Sequence, residues 1–148
     1  IDSIDFIKID IQGAELDAFR GAQKCLKDVL TIISEVEFLP IYNEQPLFGD
    51  VCSFLSSKDI MFHKFIAMSG RSLIPVILQN DVNFPTQHLW SDAVFIKDIL
   101  KIEELKNSQL LKLAIFSYLY GSPDLSYFCL FNYDKNNETN LAELFKKI

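Results

Sequence analysis

The chain opens on a nearly continuous apolar run. Residues 4–11 are broken mainly by Lys8 and Asp10, the pattern of a parallel strand buried on both faces. Gly13 permits a tight turn. Residues 14–30 then place Leu16, Phe19, Ala22, Leu26 and Leu30 at helical spacing. A second apolar run over 31–38 stops just before Pro40. Strand, helix and strand in this order form a right-handed crossover, so the two strands are expected to be parallel and adjacent.

Beyond a polar stretch at 42–49, a short helix is expected at 50–57, with Asp50 as its cap. Residues 61–68 read as a strand that turns at Ser69-Gly70. Residues 71–88 form a long irregular segment containing Pro75 and Pro85, and loops of this length usually serve a function. Residues 91–97 make another strand, so the region 61–97 predicts an antiparallel pair. The tail is helical. One helix runs from Asn107 or Ser108 to Tyr120 and ends at Gly121. A second starts at Ser122-Pro123 and carries Tyr127, Phe128, Phe131 and Tyr133 on an aromatic face. A polar linker is expected at 134–139, then a short helix capped by Asn140 and Glu143. The organisation is therefore an α/β unit over 1–104 and a helical extension over 105–148.

Composition narrows the function classes. The 148 residues are 49% hydrophobic and 23% charged, which fits a globular fold with a real core. A net charge of −6 argues against a sequence-independent nucleic-acid surface, which needs clustered Lys and Arg. No apolar run is long enough to span a bilayer, and no signal peptide opens the chain. Cys25, Cys52 and Cys129 show no metal or redox spacing; they are expected as reduced, buried thiols, which places the protein in the cytoplasm.

The candidate chemistry is acidic. In open α/β sheets, ligands sit beyond the carboxyl ends of the strands, where Asp10 stands. Side chains alternate along a strand, so Lys8 and Asp10 share one face of the first strand, and Glu35 and Glu37 share one face of the second. Lys8 is expected deeper, paired with Glu35. Asp10 and Glu37 are the better-placed candidates to meet a ligand. Glu15 suits the first turn of a helix and is also a substrate-side candidate. Trp90 could line an acceptor pocket. His63 and His88 lack any ligand pattern, and Arg71 reads as a solvated loop charge. No Walker motif, GxGxxG or serine elbow is present.

Three stretches carry a resemblance: DFIKIDIQGAELDAFRGA at 5–22, IISEVEFLPIYNEQPLF at 32–48 and LWSDAVFIKD at 89–98. In order and spacing they resemble the FkbM family of S-adenosylmethionine-dependent methyltransferases. The resemblance implies the C-terminal half of a Rossmann-like class I methyltransferase fold. It would be a mixed sheet with an antiparallel last strand, from the fourth strand onward. It implies O-methylation of a small-molecule or glycan hydroxyl, with S-adenosylmethionine as cofactor and any divalent metal left open. Asp10 and Glu37 would be catalytic. Asp10, Gln12 and Gly13 would bind cofactor, and Glu15, Glu35 and Trp90 would bind substrate, with no metal ligand assigned. The segments that hold most of the cofactor in such enzymes have no counterpart here, so the chain taken alone is expected to be inactive. The rival reading is a non-catalytic interaction module that forms a homodimer through an exposed sheet edge. Neither reading calls for nucleic acid or membrane.

Overall fold

The computed structural model describes residues 3–76, 80–81 and 87–147. The chain divides into two compact units, Ile1–Ile96 and Lys97–Ile148. In the first, strands β1 (Phe6–Ile9), β2 (Thr31–Glu37), β3 (Ile60–Arg71) and β4 (Gln87–Lys97) form an open sheet of order β1-β2-β4-β3. β1 lies parallel to β2, with Phe6 opposite Thr31 and Ile9 opposite Ser34. β4 lies antiparallel to β2, with Thr31 opposite Ile96 and Glu37 opposite Trp90. This is a mixed α/β sheet with an antiparallel last strand inserted beside β2. It agrees with the sheet that the resemblance implies.

Alternation along β2 divides its residues between two environments. Ile32 and Val36 point into a core shared with Ala93 and Phe95 of β4. Leu16 and Phe19 of helix α1 (Glu15–Gly21) and Val51 and Leu55 of helix α2 (Phe48–Ser56) close that core. Fully burying each of these large side chains contributes roughly 1.5–3 kcal/mol. Phe48, Phe62, Phe65 and Phe95 extend it as an edge-to-face and tilted ring cluster. Ile33, Glu35 and Glu37 occupy the opposite face of the strand.

Several local expectations are corrected. The helix expected over 14–30 spans only Glu15–Gly21 and continues as turns, with Cys25 and Leu26 N–H groups both bonded to the Ala22 carbonyl. Those turns bring Leu26, Val29 and Leu30 fully inside and let the Leu30 N–H reach the Asp5 carbonyl. Burial and return to the sheet thus override the periodicity. Ser69-Gly70 is no turn; both lie inside β3. The neighbouring strand holds that region extended, and the Ser91 hydroxyl of β4 donates to the Ala67 carbonyl. Pro85 lies outside the described residues. Helix α2 begins at Phe48, so Asp50 serves it from the third position, accepting from the Leu47 N–H at 2.8 Å. Cys25 is exposed and Cys52 half-buried; only Cys129 is buried, and all three are free.

The second unit holds a 3-10 turn at Ile99–Glu104 and helices α3 (Asn107–Leu119), α4 (Pro123–Asn137) and α5 (Leu141–Phe145). Gly121 takes a φ of 70°, which ends α3 and lets Pro123 start α4. The linker expected at 134–139 is largely helix: α4 runs through Asn137 and closes on Glu138 at a φ of 54°. Asn140 and Glu143 stand at the N-cap and third positions of α5 as expected, but the Asn140 side chain does not cap the helix. Asp134 does so from the preceding helix, accepting from the N–H groups of Leu141 at 2.9 Å and Ala142 at 2.8 Å. Among the described residues, no helix is long and apolar enough to cross a membrane.

Candidate functional site

β1 and β2 are parallel, so their carboxyl ends meet at one edge of the sheet. Asp10, Gln12, Gly13, Glu35 and Glu37 therefore gather there, as the strand pattern predicts. The turn that follows β1 is strained in a defined way. Gln12 has a φ of 59° and Gly13 a φ of 99°, a left-handed pair that turns the chain back into α1. Glu15, at the start of that helix, folds its carboxylate over the turn. Its two oxygens accept from the Ile11 N–H at 2.7 Å and the Gly13 N–H at 2.9 Å. Glu15 is buried and spends its charge on these backbone donors, which would otherwise be unpaired.

Gln12 joins the two strands. Its amide donates to Asp10 Oδ1 at 3.0 Å and to Glu35 Oε2 at 3.1 Å. Asp10 is exposed and Glu35 half-buried, while Glu37 is buried at 4% exposure. Burial raises the Glu35 carboxyl from 4.5 to about 7, helped by the charges of Asp10 and Glu37, by a hydrogen bond with Asp10 and by the charge of Glu15. Glu35 therefore keeps its proton well above the usual carboxylate range. Glu37 is also raised, first by burial and then by the charge of Glu15. Its own backbone N–H and the Gln45 amide pull the other way.

The remaining sequence candidates divide. Lys8 does not pair with Glu35. It is exposed and stands opposite Ile33 in the β1–β2 register. Trp90 is the β4 partner of Glu37, and the Arg71 guanidinium lies 4.9 Å from the centre of its ring. Arg71 is exposed, as expected of a solvated charge, but it ends β3 and lies over the aromatic beside the acidic edge. His63 lies on β3 and His88 on β4. Among the described residues, no three His, Cys, Asp or Glu side chains are arranged to hold a metal ion. The sequence reading overlooked Gln45. It lies beside Asn43 and Glu44 in the polar stretch between Pro40 and Pro46, so nothing in the local pattern set it apart. In the structure it is buried against the turn. A Cβ on Gly13 would stand 2.5 Å from its Nε2.

This edge is dominated by carboxylates of graded burial, suited to a cationic or proton-donating ligand. Comparison with known proteins agrees with the class. Residues 1–60 match the family described as the methyltransferase FkbM domain. No curated protein and no solved structure matches the chain. The matched residues include every acidic member of the cluster, and over that stretch the chain is similar to the methyltransferase FkbM domain.

Proposed function

We propose that the chain is part of an S-adenosylmethionine-dependent O-methyltransferase whose acceptor is a hydroxyl on a sugar or natural-product-like molecule. The observation that carries this reading is the convergence of Asp10, Glu35 and Glu37 on one strand-end edge, with Gln12 bridging Asp10 and Glu35. The donor set fits the cofactor, because carboxylates complement a sulfonium charge. Asp10, Gln12 and Gly13 would hold it. When bound, it supplies an electrophilic methyl group.

The chain's own residues then divide the work. Glu37 accepts the proton that leaves the acceptor hydroxyl. Glu35 shares its proton with Asp10 and so limits repulsion among the acids. Glu15 fixes the turn that sets Asp10, and Trp90 with Arg71 forms a wall against which the acceptor rests. Reduced thiols support a cytoplasmic setting; burial pushes Cys52 up to about 11 and Cys129 up to about 12, well away from thiolate chemistry.

Calorimetric titration of the intact protein containing this chain with S-adenosylmethionine is the test. A folded protein that shows no binding would end this reading. Given binding, Asp10→Asn and Glu37→Gln should each keep the fold and lose roughly 10²–10⁴-fold in turnover. Unchanged turnover removes that residue from the mechanism. A second reading rests on β1, which is an outer strand of the sheet and offers an edge for strand addition. It requires a homodimer without activity. A monomer by light scattering excludes it.

A further inference from the structure

Residues 110–119 of α3 are hydrophobic except for Lys112 and Ser117. Leu110, Leu113 and Ala114 are buried, yet Ile115, Tyr118 and Leu119 stand 58%, 52% and 68% exposed. A helix that is hydrophobic all round is normally covered all round, and this second face of α3 is not. It borders a cavity of about 290 Å³ among α3, α4 and α5. Ala114 and Ser126 are the most buried of its lining residues. The Ser126 hydroxyl donates to the Ala114 carbonyl at 2.9 Å, so it asks nothing of a ligand. Leu130 and the Phe145 ring complete the lining, which contains no charged side chain. Lys146, next to Phe145, is bonded to Glu143 at 2.9 Å.

We propose that this cavity is a binding site for a small uncharged aromatic molecule of one or two rings. It belongs to the second unit and does not rest on the methyl-transfer reading. Three observations select the occupant. The α3 part of the lining runs only from Ala114 to Leu119, about 9 Å of helix. A docked partner helix needs anchors spread from i to i+7, so the cavity takes a compact molecule instead. Its volume is about twice the roughly 150 Å³ of an apolar cavity that holds benzene, which leaves room for two fused rings. The Tyr118 and Phe145 rings meet edge to face, with centres 5.6 Å apart at 82°. A ring inserted beside them stacks on one and meets the edge of the other, whereas an aliphatic chain gains from area alone. A charged ligand would lose its water with no counter-charge in the lining.

NMR titration of the intact protein containing this chain with indole, followed at methyl groups, tests this without any activity. The methyls of Ile115, Leu119 and Leu130 should shift together and saturate with a Kd below about 1 mM. No saturation in that range, or shifts centred elsewhere, overturns the proposal. Octan-1-ol should bind at least tenfold more weakly than indole, and equal affinity overturns the aromatic assignment. Ile115→Asp places a charge in the lining at an exposed position and should weaken indole at least tenfold. Unchanged affinity in that variant overturns the site. Should the variant not fold, the two wild-type titrations decide. Light scattering covers the rival occupant: a dimer that Ile115→Asp dissociates gives this face to a second copy and overturns the proposal.

Discussion

At the scale of single residues, the site is governed by how much water each carboxylate keeps. Glu35 shows this best. Its folded value lies at about 7 against 4.5 when unperturbed, so between these values the folded state retains a proton that the unfolded chain has released. Its contribution to stability is therefore fully present below about pH 4.5 and is lost as pH rises through about 7. Glu35→Gln should remove that loss and raise stability at pH 8 by on the order of 1 kcal/mol, once solvent screening of a half-buried group is allowed for. Urea unfolding of both proteins at pH 5 and pH 8 measures it, and a gain of equal size at both values would contradict the assignment. Gly13 makes a different demand. An alanine there would need a left-handed backbone and would drive its Cβ into Gln45, so Gly13→Ala should destabilise by about 1–3 kcal/mol. A melting temperature equal to wild type would contradict that. Both residues stand in one quoted stretch or the next, and their type was legible as chemistry. Their burial was not, because it depends on what packs above the turn.

At the scale of elements, several signals pointed correctly to an element but not to its end. The apolar runs of β1 and β2 were readable as near-continuous stretches, although only β2 is buried along nearly its whole length and β1 is half-buried with Lys8 exposed. The α1 pattern overran its helix, because Leu26 and Leu30 meet the core from turns as well as they would from a helix. Ser69-Gly70 carried a turn signal that pairing with β4 overrode. In the second unit, Asp134 sits in a stretch polar enough to look like linker, yet it is the residue that starts α5. Burial pushes its carboxyl up, but hydrogen bonds from Thr139, Ala142 and Leu141 outweigh this and hold it below the usual range. That contribution is present above the unfolded value and is lost as pH falls through the folded one. Asp134→Ala should cost about 1 kcal/mol and free the amides of Leu141 and Ala142 to exchange. Hydrogen exchange at those two amides measures the effect, and unchanged protection would contradict the cap.

At the scale of the whole molecule, each compact unit carries its own apolar centre: Phe19 and Phe95 in the first, Leu110 and Leu113 in the second. Phe19 is 1% exposed between α1 and the sheet, so Phe19→Ala should cost about 3–5 kcal/mol, seen as a lower urea midpoint; a loss below 1 kcal/mol would mean the sheet tolerates a cavity under its acidic edge. The sequence by itself determined the α/β class, the parallel β1–β2 pair and the acidic residues at its carboxyl end, because strand alternation and the strand-to-helix turn are local rules written in neighbouring residues. Tertiary structure alone decided that Lys8 has no counter-charge at Glu35, that Glu15 serves the backbone, that Arg71 stacks on Trp90 and that Gln45 packs a buried amide against the Gly13 turn. Each of these depends on which surfaces lose water when distant segments meet, and desolvation is a property of the packed assembly that no local pattern encodes.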